Sequence, residues 1–503
     1  MEALHELIRG MSMAEKSYFK RYAGKLSDDS STNYIQLFDA IGKQVVYDEA
    51  LLKKLFARQK FIKQFSVAKT YLYKTIVKAL KNYYEESGIS FQLKNLQLEL
   101  SLLIEKGLYS QAAKAIEKGL SLSGKFEMYF EQHEFLSAEF YLLMNNYQVQ
   151  SKTRDINVVM EELKSVELKT ETFFAYERLY RWQYRLNKMI YQLRDKGQLQ
   201  EYNDIISNAL LKDGVTNLSK RNQYYYHYIR ALHFSVTDNR RLFLKEALQL
   251  KEVCRTSPYF YSYDFKSYMN SLNLLLEASH FNGDMKVMQD ALKLLQGLQV
   301  QNERDKIAKF IYYSRFALIY YDAAGDTKAK RKLIDEAWSL LALYSAKIPF
   351  HIRVSIAITY ISALLEMGDY SKAVDWIELY RRGEKEDKTR YDSQSILYIL
   401  QLIAHYEIGN HLLVKNIVPN IARFIKRVGQ QSKFERVLLS FFAKLTSSKT
   451  TAAKLFNDTL KELESLKEGD VLHRNRPMHD IFKVFIESKR AGMAYHKMVQ
   501  SVS

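Results

Sequence analysis

Along most of this chain, apolar residues follow the helical period in blocks of roughly 17 residues, broken by short turns centred on glycine. Gly283, Gly325, Gly368 and Gly409 fall 42, 43 and 41 residues apart, and Gly107 belongs to the same series. Each closes one helical stretch and is followed by another, as in Leu365-Glu366-Met367-Gly368-Asp369-Tyr370-Ser371-Lys372-Ala373. The intervals from Gly107 to Gly197 and from Gly197 to Gly283 are 90 and 86 residues, each close to two periods. Asn145-Asn146 and Asp238-Asn239 supply the missing turns, because Asn and Asp tolerate the left-handed backbone that such turns need. A fixed period of this size predicts a stack of helix pairs, each unable to bury its apolar face without its neighbours. About seven pairs are expected between residues 91 and 430, with helices about 25 Å long at 1.5 Å per residue.

The flanks differ. In residues 1–90, Ser12-Met13-Ala14-Glu15 has the form of a capping box, Leu26 to Asn33 reads as a polar loop, a helix is expected over Tyr34 to Val45, and Asp48 can cap another. Leu51 to Tyr84 holds nine Lys or Arg and no acid. Helices over Asp48 to Phe56 and Ser66 to Tyr84 have the layout of a helix-turn-helix. Lys74, Lys78 and Lys81 lie within an arc of about 60° at 100° per residue, and with Lys69 they are the candidate nucleic-acid contacts. The stretch Ser66-Val67-Ala68-Lys69-Thr70-Tyr71-Leu72 resembles the start of a winged-helix recognition helix. In residues 431–503 the segments Phe434 to Leu445, Ala452 to Leu466 and Asp480 to Arg490 read as helices capping the end of the stack, with a polar loop at Asn475-Arg476-Pro477. Arg381 to Arg390 reads as a mixed-charge turn.

Composition narrows the function classes. Four prolines and 18 glycines in 503 residues leave helix as the dominant state. The opening segment has no continuous apolar core and no run of about 18 apolar residues occurs, so neither a signal peptide nor a membrane span is expected. Cys254 is the single cysteine, which fits a reducing cytoplasm and reads as a small buried hydrophobe. A net charge of +18 favours acidic partners. The 37 tyrosines read mainly as rings packed between helices with wet hydroxyls.

Two turns resemble those of tetratricopeptide repeats, whose motif places Gly-Asp/x-Tyr-x-x-Ala between helix A and helix B. Gly368-Asp369-Tyr370-Ser371-Lys372-Ala373 matches throughout, with Trp376 at a large-residue position, and Gly107-Leu108-Tyr109-Ser110-Gln111-Ala112 matches all but the Asp. Elsewhere the alanine is replaced, by Tyr202, Met288, Lys330 and Val414, and the period near 42 exceeds the family's. The resemblance implies a TPR-like, right-handed α-solenoid over residues 91–430, between an N-terminal bundle and C-terminal capping helices. It also implies that helix A lines a concave groove. Transferred residue by residue, the groove positions are Tyr184, Asn187, Tyr191 and Arg194, then Asn270, Asn273, Glu277 and His280. They continue with Tyr312, Arg315 and Asp322, and with Ser355 and Ser362, whereas Ile396, Ile399, Ile403 and Tyr406 look buried.

No phosphate loop, HExxH, GxSxG or CxxC occurs, and the paired histidines are six apart, a poor spacing for one helical face. No catalytic residue, metal site or cofactor is therefore expected. The reading is an all-α cytoplasmic scaffold holding a protein or peptide, with a nucleic-acid-associated regulator as the alternative.

Overall fold

The computed structural model describes residues 2–25, 29–85, 88–145, 154–189, 196–212, 214–215, 218–300, 303–344, 347–381, 391–427, 433–446, 452–466 and 476–502. Among them every regular element is a helix and no strand occurs, so the all-α expectation holds. The chain divides into two compact units, Met1–Lys309 and Phe310–Ser503.

The first unit begins with α1 (Glu2–Gly10), α2 (Met13–Gly24), α3 (Asp29–Lys43), α4 (Glu49–Leu55) and α5 (Phe65–Glu85) around Ile8, Phe19, Phe38, Leu72 and Ile76. The Ser12–Glu15 capping box forms, and Asp48 caps α4 by accepting the Leu51 N–H at 2.9 Å. Leu26 to Asn33 is not a loop throughout: α3 starts at Asp29, where small polar residues suit a first turn, and 26–28 lie outside the described residues. There follow α6 (Ile89–Glu105), α7 (Tyr109–Lys125), α8 (Tyr129–Met144), α9 (Ile156–Met189), α10 (Lys196–Ile206), α11 (Lys220–Val236), α12 (Arg240–Thr256), α13 (Pro258–Ser262), α14 (Phe265–Asn282) and α15 (Met285–Gly297). The second unit holds most of α16 (Glu303–Ala323), then α17 (Thr327–Tyr344), α18 (Phe350–Glu366), α19 (Tyr370–Arg381), α20 (Tyr391–Glu407), α21 (His411–Arg427), α22 (Lys433–Thr446), α23 (Ala452–Glu464), α24 (Arg476–Arg490) and α25 (Tyr495–Val502). Seven of the helices between Ile89 and Arg427 are 17 residues long.

The glycine series has a common geometry. Gly107, Gly283, Gly325, Gly368 and Gly409 all take left-handed φ, from +66° to +80°, and Asp238 does the same at +53° without being glycine. In each case the next N–H reaches back to the carbonyl four residues before the turn residue at 2.9 Å, closing a Schellman turn. The following Asp or Asn then caps the next helix: Asn239, Asp284, Asp326 and Asp369 each accept the N–H three residues on. Five residues past the turn the chain is always buried, at Ala112, Phe243, Met288, Lys330, Ala373 and Val414. That seat faces the partner helix whatever occupies it.

Three expectations fail. Gly197 lies within α10 and closes no turn, although Tyr202, five residues on, is buried. The preceding α9 runs 34 residues, twice the expected length, because nothing between Ile156 and Met189 is Gly or Pro. Arg476 and Pro477 open α24, where proline is tolerated in a first turn. Asn145 ends α8 at φ −89°, and Asn146, Asn475 and 382–390 lie outside the described residues. An unforeseen left-handed turn at Gly492 leads into α25.

Candidate functional site

In the first unit the expected groove positions on α14 share one side of the helix. Asn270, Asn273 and Glu277 are half-buried and His280 is exposed. On α9 Tyr184 is exposed, whereas the side chain of Asn187 and all of Tyr191 and Arg194 lie outside the described residues. The same offsets counted back from Asp238 select Tyr225, Tyr228, Leu232 and Ser235 on α11, which the sequence reading passed over because that turn lacks glycine. Tyr180 joins the two helices, its ring 5.3 Å from those of both Tyr225 and Tyr228 and 6.2 Å from that of Tyr184. A tyrosine-faced strip thus runs over α9 and α11.

A cavity of about 60 Å³ opens in this strip, bordered by Tyr180, Tyr225, Tyr259, Arg221 and Asp264. Arg221 is held from one side by Glu127, a left-handed residue at φ +52°. The Glu127 carboxylate accepts the backbone N–H groups of Lys220 and Arg221 at 3.0 Å each, capping α11, and its carbonyl accepts Nη1 of Arg221 at 2.8 Å. The guanidinium carbon lies 4.0 Å from the ring centre of Phe173 and 4.6 Å from that of Tyr259. Burial, with Glu177 nearby, pushes the Tyr225 hydroxyl up to about 12. Deeper in, the Glu246 carboxylate lies 2.7 Å from Nδ1 of His227 and accepts Nε of Arg230 at 2.8 Å. Burial disfavours its charge, yet these two bonds hold its pKa below the ordinary value. This trio ties α11 to α12. Cys254 is fully buried and its thiol is pushed up by burial, as expected of a packing residue.

In the second unit Arg315 and Ser355 are exposed, and Tyr312 and Ser362 are half-buried. Asp322, a groove candidate, is instead engaged by Lys330. Lys330 occupies the alanine seat of its turn and is buried, and its ammonium also lies 3.3 Å from Glu366. Burial raises the pKa of Glu366, opposed by Lys330. The ends of α18 and α20 are covered by the chain itself, since α25 packs on α18 and α24 on α20. The Tyr370 hydroxyl lies 2.8 Å from Nδ1 of His496 and accepts the His496 N–H at 3.2 Å, and Glu407 accepts the Tyr495 N–H at 3.1 Å. A Cβ on Gly368 would meet the His496 ring at 3.1 Å, so the best-matching turn is also a seat for α25.

The basic segment sorts into two groups. Lys69 is buried, with its ammonium 2.6 Å from Glu49 and 3.4 Å from the Tyr47 hydroxyl, which corrects its assignment as a nucleic-acid contact: the cation serves the bundle interior. Lys74, Lys78 and Lys81 are exposed on one side of α5 together with Val67 and Tyr71. Among the described residues no ion pair involves these three or Lys54, Arg58, Lys60 and Lys63, all of them exposed.

No protein-family model matches the chain, and neither a curated protein nor a solved structure matches it. Among the described residues no group of three His, Cys, Asp or Glu is placed to hold a metal ion, and no helix is long and apolar enough to cross a membrane.

Proposed function

We propose that this chain is a non-enzymatic cytoplasmic scaffold, a right-handed TPR-like solenoid over residues 91–430 flanked by the bundle of residues 1–90 and capping helices from 431. It holds a protein or peptide along the exposed side of its A helices. The observation that carries the reading is the strip on α9, α11 and α14. A helix side packed on a neighbour would be apolar, yet here Tyr184, Asn273, Glu277 and His280 keep contact with solvent. Tyrosine rings offer large contact areas at low entropic cost. In the test, proteins captured from native lysate by the intact chain are compared with those captured by a Tyr184→Ala/Asn273→Ala variant. Loss of at least one partner from the variant is expected, and identical captured sets would remove the groove assignment.

A second reading rests on the seven exposed cations between Lys54 and Lys81 that have no ion-pair partner among the described residues. Unpaired lysines aligned along a helix side suit a row of phosphates, and binding of that kind releases counterions. The intact chain is then expected to bind a 20-base-pair duplex with an affinity that falls steeply with salt. Lys74→Glu/Lys78→Glu/Lys81→Glu should abolish binding at about 0.1 M salt, three phosphate contacts setting a log–log slope of about −3. Absence of binding by the intact chain at low salt would refute this reading.

A further inference from the structure

The cavity on α9, α11 and α13 is rich in donors, and its acceptor is already occupied. The Arg221 side chain makes one hydrogen bond among the described residues, from Nη1 to the Glu127 carbonyl, and no carboxylate there forms an ion pair with it. The Tyr225 and Tyr259 hydroxyls make no hydrogen bond there either, and burial raises both pKa values, so both keep their protons. The one acid at the rim, Asp264, is committed: its Oδ1 accepts the Ser267 N–H at 3.3 Å as the N-cap of α14, and its Oδ2 accepts the Ser267 hydroxyl at 2.6 Å. The Phe173 and Tyr259 rings fix the guanidinium, so its remaining N–H groups form a ready-made fork. A space of about 60 Å³ suits a group of the size of a carboxylate, since one water takes up about 30 Å³. Arg221 also lies four and seven residues before Tyr225 and Tyr228, on their side of α11.

We propose that this cavity is a carboxylate socket: Arg221, with the Tyr225 and Tyr259 hydroxyls, receives a carboxylate of the peptide held along the strip. The inference rests on the scaffold reading and specifies the chemistry of its ligand. The test selects phage-displayed random 12-residue peptides on the full-length chain and measures synthetic copies by fluorescence polarisation. The selected peptides are expected to share one acidic position, and its Glu→Gln or Asp→Asn form should bind about tenfold or more weakly. Free-acid and amidated synthetic peptides separate a side-chain carboxylate from a chain terminus. Arg221→Gln should erase the preference for acid. Because Arg221 also packs, Tyr225→Phe/Tyr259→Phe, which keeps both rings, is the second variant and should reduce the preference several-fold. Peptides that bind the strip without any acidic preference would overturn the socket and leave the scaffold standing. An acidic preference unchanged in both variants would also overturn it, and failure to select any peptide would overturn both.

Discussion

Trp376→Ala is expected to lower the stability of the Phe310–Ser503 unit by about 3–5 kcal/mol, the usual range for emptying a large aromatic site. Trp376 is fully buried on α19, with the Tyr360 ring stacked on it at 5.2 Å and 3° and the Trp338 ring edge-on at 5.2 Å. No small shift of α17 or α18 refills that volume. Its indole N–H is buried without an acceptor among the described residues, so Trp376→Phe loses volume but also removes an unpaired donor. The Phe variant should therefore lose less than half of what the Ala variant loses. Hydrogen exchange of the α18 and α19 amides in the full-length chain, read beside urea unfolding, tests this. Unchanged protection in Trp376→Ala would show that the stack contributes little.

Glu49→Gln should destabilise the N-terminal bundle by about 2 kcal/mol, less than for a fully buried pair because Glu49 keeps some solvent contact. The variant leaves the buried Lys69 ammonium without its carboxylate. The pH dependence has a definite sign. The hydrogen bond from Lys69, helped by Lys53, lowers the Glu49 pKa from 4.5 to about 2 in the folded chain. A depressed carboxyl stabilises the folded state above its unfolded pKa, so the contribution is complete above about pH 4.5 and fades as the pH falls towards 2. The hydrogen-exchange protection of α5 should drop through that window in the natural chain, and Glu49→Gln should lack this part of the drop. The same acid response in both proteins would count against the pair. Glu49→Leu with Lys69→Met should recover much of the loss, because apolar residues of similar volume often replace buried ion pairs without penalty.

The repeating turn was legible because its chemistry is local. Left-handed φ at Gly283 or Asp238 depends on the residue itself, and the Asp or Asn that follows caps a helix beginning at the next residue. The position five residues on keeps the same register in the structure, where it is buried even with Lys330 in place of alanine. The double length of α9 went unforeseen because the expected helix length rested on the turn spacing, while no Gly or Pro between Ile156 and Met189 ends a helix there. Gly197 misled because a glycine inside α10 has the same letter as one in a turn. Lys69 was misassigned for a related reason. Its letter matches Lys74 and Lys78, and only the approach of Glu49 from α4 separates a buried cation from exposed ones.

The chain by itself determined the helical class, the positions of most turns, the caps that follow them and the basic run of residues 51–84. Each depends on the conformational preferences and hydrogen bonding of residues within about one helical turn. The tertiary structure alone decided that Glu127 holds Arg221, 94 residues further on, at the wall of a cavity and that His496 seats against the Gly368 turn. It also decided which lysines keep their charge in solvent. Such pairings arise when helices distant in sequence compete for the same buried surface, and no local pattern records which helix prevails.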